Sequence, residues 1–179
     1  MEQLEQSHPV SVHWRSFELR PRGAPPISPE YRARIEANRP RLYAIAREQY
    51  GLELNPGPFG FDSRPALVGA KFAERRDAGP AYHAAVMKAH WLEARRIDDA
   101  AQLAELAESI GLEREAFLAA LTDPALVAEV QADIEQAQAY RLNSVPAMVF
   151  VDRYLVSGAQ PYAVLAEVVD EIQREIGKE

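Results

Sequence analysis

The chain has 179 residues, 47% hydrophobic and 26% charged, which fits one soluble globular domain with room for a core and a helical insertion. Its 27 acidic residues outweigh 20 basic ones, for a net charge of -7, which argues against a nucleic-acid partner because such a partner favours a basic face. It contains no cysteine, which excludes disulfide exchange, thiolate nucleophiles and sulfur–metal ligation by these residues. No apolar run approaches the roughly 18 residues of a membrane span. MEQLEQSHPV has neither the basic nor the apolar region of a secretion signal, so no membrane partner and a cytoplasmic location are expected. The histidines are His8, His13, His83 and His90. His83 and His90 could share a helix face, but no HExxH pattern or spaced carboxylate accompanies them, so neither metal nor cofactor is expected.

In chain order, Val10 to Leu19 alternates Val10, Val12 and Trp14 against Ser11 and His13, which predicts a strand. RPRGAPPISPE is a loop leading to a helix start, with Ser28 as cap and Pro29 at the first position. Tyr31 to Tyr50 reads as helix, with a kink expected at Pro40 and an end at Gly51. ELNPGPFGFD is a second loop. Ser63 opens a helical block that lasts to Tyr140. In it Val86, Met87, His90 and Trp91 share one expected helix face, Asp98-Asp99 reads as a cap, Gly111 as a stop, and Thr122-Asp123-Pro124 as a cap followed by proline at N1. No fixed-period repeat or low-complexity tract interrupts the chain.

RLNSVPAMVFVDRYLVSGAQP then changes character. Ala147 to Val151 suits a short buried strand, Asp152-Arg153 a tight connection, and Tyr154 to Val156 the second strand of a hairpin. Gly158 breaks it and Pro161 opens a last helix, striped by Val164, Leu165, Val168, Val169, Ile172 and Ile176. Read without further context, Val145-Pro146 is a turn before a strand. Trp14, Phe17, Trp91 and Phe150 are expected in the core, and Arg15 in an ordinary salt bridge.

Three separated segments carry a resemblance: Trp14 to Leu19 (WRSFEL), the helices around Ala84 to Asp98 with Leu103 to Phe117, and Ser144 to Ala147 followed by Val156 to Pro161 (VSGAQP). Together they resemble the DsbA-like thioredoxin proteins, in particular the FrnE-type dithiol-disulfide oxidoreductases, from about Val10 to near the end of the chain. The resemblance implies an α/β, thioredoxin-like fold with an inserted α-helical domain: residues 1–27 and 141–179 forming the thioredoxin-like part, and 28–140 the insertion. It implies a cis bond before Pro146 and a substrate-facing loop at Ser144, Val145 and Pro146. In the family that loop pairs through its backbone with an extended peptide or thiol substrate.

The sequence departs from the family at one place. The family's first strand and its CPWC-type motif at a helix N-terminus, where the helix dipole lowers a thiol pKa, have no counterpart. MEQLEQ matches only the tail of that helix. No catalytic residue is therefore named, and the chain is expected to be redox-inert as it stands. The alternative is a non-catalytic, chaperone-like module that binds peptide or a small ligand. A third reading, a glutathione-using isomerase, fits WRSFEL and VSGAQP less well. The flanking strands would be left with open edges. Direct pairing, a second chain such as a homodimer partner, or a native start upstream of Met1 would each resolve this, and the upstream start is the favoured expectation.

Overall fold

The computed structural model describes residues 1–21, 23–57 and 60–177. It is mostly helical with one small sheet. In order the elements are α1 (Glu2–Ser7), α2 (Pro29–Tyr50), α3 (Arg64–Glu74), α4 (Gly79–Trp91), α5 (Ala100–Ser109), α6 (Arg114–Ala120), α7 (Pro124–Ala139), β1 (Ala147–Phe150), β2 (Tyr154–Ser157) and α8 (Tyr162–Ile176). Two compact units emerge, residues 1–19 with 135–179, and residues 20–134. The second division runs through α7, whose first part belongs to one unit and whose last residues belong to the other.

In the unit of residues 20–134, capping side chains fix the helix starts. Ser28 accepts the Tyr31 N–H at 3.2 Å with Pro29 following, and Gly51 closes α2 at φ +65°. Pro40 lies inside α2 without ending it. Asp99 takes the Ala101 and Gln102 N–H groups, Glu113 those of Glu115 and Ala116, and Asp123 that of Ala125. Ser63 makes no side-chain cap; Asp62 takes the Arg64 N–H instead, at 3.0 Å.

The core of this unit is Val68 and Phe72 of α3, Tyr82, Val86 and Ala89 of α4, Leu103, Ala104 and Ala107 of α5, Phe117 of α6, and Leu126 and Val130 of α7. Phe117 sits at its centre, with ring centroids 5.6 Å from those of both Phe72 and Tyr82. A Cβ on Gly69 would run into the Tyr82 hydroxyl and the Phe117 ring, so that helix position must be glycine. The inward face of α4 is Tyr82, Val86 and Ala89. This corrects the expected face, because Met87 and Trp91 are both exposed. Beside the core, the buried Lys71 ammonium meets the buried Asp133 carboxylate at 2.8 Å and Glu74 at 3.1 Å. Burial pushes the Lys71 pKa down, but hydrogen bonds and charge from Asp133 and Glu74 outweigh it and hold the group above the usual lysine range.

In the other unit, β1 and β2 pair antiparallel, with Ala147 opposite Ser157 and Phe150 opposite Tyr154. The turn is centred on Val151 and Asp152, at φ +47° and +56°, with Arg153 N–H returning to the Phe150 carbonyl at 3.0 Å. This moves the expected Asp152-Arg153 connection back by one residue. Two successive left-handed residues give the twist that closes a hairpin, although a β-branched Val is strained there.

Val10 to Leu19 is not a strand. Among the described residues the only sheet is the β1–β2 pair, and a strand requires a partner. The Val12 N–H is satisfied by the Glu5 carboxylate at 3.0 Å instead. The alternation survives as burial: Val10 and Val12 are half-buried and Ser16 is buried, while Ser11 and His13 are exposed. Trp14 breaks the pattern at 54% exposure, so it is no core residue, whereas Phe17 and Phe150 are half-buried. The core here is small. Leu4, Leu165 and Val169 are buried, with Val10, Met148, Phe150 and Val156 packed against them. Of the α8 stripe, Leu165, Val169 and Ile172 point inward, while Val164 and Ile176 are exposed.

Candidate functional site

The stretch from Arg141 to Pro161 folds back on itself around Pro146. Ser144, Val145 and Pro146 are all exposed, Val145 at 47%. The Val145–Pro146 bond is cis. The Pro146 carbonyl accepts the Gly158 N–H at 2.8 Å, and Gly158 adopts φ +80°, which favours glycine. Gln160 Nε2 donates to the Ser157 carbonyl at 2.9 Å. The two motifs that the sequence singled out, Ser144 to Ala147 and Val156 to Pro161, are therefore one structural feature. At the far end of the hairpin, the Tyr140 hydroxyl donates to Asp152 at 2.7 Å and anchors the turn. That bond, with some burial, raises the Tyr140 pKa above its ordinary value. The sequence reading missed this pair, since twelve residues and a change of element type separate a tyrosine and an aspartate that look like solvated loop residues.

The loop runs directly into β1, which is paired along one edge only among the described residues. An unpaired strand edge leaves main-chain N–H and C=O groups without a ladder partner on that side. The loop presents no activated nucleophile, because among the described residues no histidine or carboxylate is hydrogen-bonded to the Ser144 hydroxyl.

A different polar chain ties α1 to α8. Ser7 Oγ lies 2.8 Å from His8 Nδ1, His8 Nε2 lies 3.5 Å from Asp170, and the Tyr162 hydroxyl donates to Ser7 at 2.9 Å. The order hydroxyl, imidazole, carboxylate resembles a nucleophile relay. The Ser7 hydroxyl also lies 2.7 Å from the Gln3 carbonyl one turn back, so these contacts close the end of α1. No group of three or more His, Asp or Glu side chains is placed to hold a metal among the described residues. None of their helices is long and apolar enough to cross a membrane.

Comparison with known proteins gives the class. The DSBA-like thioredoxin domain matches residues 1–170. The Streptomyces coelicolor protein described as "probable DsbA oxidoreductase SCO1869" superposes with a TM-score of 0.71 at 28% identity, over 80% of this chain and 62% of its own. A 2-hydroxychromene-2-carboxylate isomerase superposes with a TM-score of 0.79 over 99% of this chain and 88% of its own; at 20% identity that likeness is one of fold.

The chain belongs to the DsbA-like thioredoxin family, with the family's helical insertion and without a cysteine. Among curated proteins, the uncharacterized protein YwbO of Bacillus subtilis (strain 168) is 31% identical over 117 residues, which cover 63% of this chain. The chain spans 57% of the length of YwbO and 62% of the Streptomyces protein.

Proposed function

We propose that this chain is a FrnE-type member of the family that keeps the substrate-holding loop of a thiol-disulfide oxidoreductase and performs no dithiol exchange by itself. Exchange needs a thiolate to attack a disulfide sulfur, and these 179 residues contain no cysteine. What remains is the platform of Ser144, Val145 and Pro146 with the open edge of β1. The observation that carries the reading is that this loop is exposed and leads straight into a strand that is paired along one edge only among the described residues. An extended peptide would add there as a strand, bonded through the main chain with little demand on its sequence.

The test combines two assays on the purified chain. Dithiol-dependent reduction of a disulfide substrate should not exceed the uncatalysed rate. A labelled, unfolded, cysteine-free polypeptide should bind, and the same polypeptide with alternate backbone amides N-methylated should lose binding. Catalysed exchange would contradict the inert reading. Equal binding of the methylated and unmethylated polypeptides would contradict the platform.

A further inference from the structure

Far along the sequence from that loop, and wholly within residues 20–134, α2 leaves an open groove of about 260 Å³. One wall is a face of α2: Tyr31, Arg34, Ile35, Asn38, Arg39, Leu42 and Tyr43, spaced as one side of a helix. The other wall is Pro56, Gly57, His90 and Trp91. This second wall is tightly held. The Asn55 N–H donates to the Trp91 carbonyl at 2.7 Å, the Gly57 N–H to the His90 carbonyl at 2.6 Å, and the Ala94 N–H to the Asn55 carbonyl at 2.9 Å. A Cβ on Gly57 would strike the Arg95 carbonyl and crowd the His90 ring, so this close approach needs glycine. His90 is itself locked edge-on against Phe61 and Trp91, with ring centroids 5.0 and 5.1 Å away.

The α2 wall is the opposite. Of its 22 residues only Ala46 is buried, so the Tyr31, Ile35, Leu42 and Tyr43 side chains in this otherwise polar helix face the groove with little packed on them. The charges in the groove are one-sided. In a chain of net charge -7, its lining holds two arginines and no acid. Neither Arg34 nor Arg39 has a carboxylate partner among the described residues, and Arg39 is half-buried. A half-buried guanidinium without a counter-charge carries a desolvation cost that an anion would relieve. Arg34 stacks over the Tyr31 ring at 4.9 Å, which leaves its in-plane N–H fork free to grip a carboxylate. At about 100° per residue the two arginines stand on opposite margins of the α2 face, with Tyr31, Ile35 and Leu42 between them.

We infer that this groove is a binding site for a small planar carboxylate, an aromatic ring seated between Leu42, Tyr43 and Trp91 with its anion held by the half-buried Arg39. Concavity and size favour a small molecule over a macromolecular partner: the volume lies just below the ~300–1,000 Å³ of pockets that enclose drug-sized ligands, room for one ring system and its acid group. The ligand would supply the packing that α2 lacks, so binding is expected to order that helix.

The probe is 4-hydroxybenzoate, with 4-hydroxybenzamide as its uncharged isostere, titrated calorimetrically into the full chain. The acid should bind at least about tenfold more tightly than the amide, since a bidentate charged pair is roughly twice as strong as a neutral hydrogen bond. Arg39→Gln should remove that preference without lowering the melting temperature of the free protein, since the uncompensated charge goes with it. Amide chemical-shift changes should centre on Tyr31–Tyr43 and His90–Trp91. Equal binding of acid and amide, an unaltered preference in Arg39→Gln, shifts centred elsewhere, or no binding at all would each overturn the assignment. Concentration-dependent dimerisation through α2, abolished by Leu42→Glu, would also overturn it in favour of a second copy as the occupant.

Discussion

The two units hold themselves together by different means. The unit of residues 20–134 has a contiguous core running from Ala66 to Val130 through five helices, each helix start fixed by a cap or a proline. The unit of residues 1–19 and 135–179 has three buried side chains in its cluster, Leu4, Leu165 and Val169, under a two-stranded sheet. An isolated hairpin is marginal in water and needs a third strand or a helix packed on it; here Leu4 and α8 provide that support. The helical insertion thus has the larger core, and the unit with the Ser144–Pro146 loop rests on a small cluster. Under the proposed strand addition, a bound peptide would contribute stability that this unit lacks.

Several changes would break or sharpen this contrast. The largest effect is expected for Phe117→Ala, which empties the centre of the helical core and should cost about 3–5 kcal/mol in chemical denaturation. Leu4→Ala removes a residue 1% exposed. In a small cluster that can partly collapse, it should cost about 2–3 kcal/mol, and it should lower protection only in the hairpin and α8. If both variants unfold the whole chain in one step, the units are not independently stable and the contrast fails.

A smaller gain is expected from Val151→Gly. Val151 is 60% exposed at φ +47°, so glycine relieves strain of about 1 kcal/mol while little packing is lost; a lower melting temperature would mean the side chain packs more than its exposure shows. The smallest effect is with pH. Burial pushes the His83 and His90 pKa values below the usual histidine range, with the Arg95 backbone partly opposing this at His90. The unfolded chain then binds more protons in mild acid, so their stabilising contribution is present above about pH 6.5 and is lost as the pH falls through the lower folded values. Urea unfolding of the helical unit should show this loss between pH 7 and 5, and His83→Phe with His90→Phe should flatten it.

The parts legible in the sequence are those with local causes. Caps at Ser28, Asp99 and Asp123, proline at helix starts, the α8 stripe and the hairpin all follow from neighbours a few residues apart. What failed had non-local causes. The Val10–Leu19 alternation is a strand pattern, but pairing depends on a partner that no periodicity inside the segment can supply. Trp14 and Trp91 look like core residues by type; their exposure depends on which neighbouring surfaces exist. The Ser144–Pro146 loop was legible only through resemblance, because taken by itself Val-Pro before an apolar run is an ordinary turn. Its exposure and the open strand beside it required the fold.

The most direct measurement is residue-resolved amide hydrogen exchange of Ser11–Phe17 and Ala147–Phe150, alone and with saturating unfolded, cysteine-free polypeptide. The account predicts that in the free chain β1 is protected only at the amides facing β2, with Ser11–Phe17 exchanging fast, and that the polypeptide slows the remaining β1 amides. Slow exchange across both segments in the free chain would mean that Val10–Leu19 pairs with β1 and that there is no open edge to fill. Unchanged β1 exchange despite bound polypeptide would place binding elsewhere and contradict the strand-addition platform.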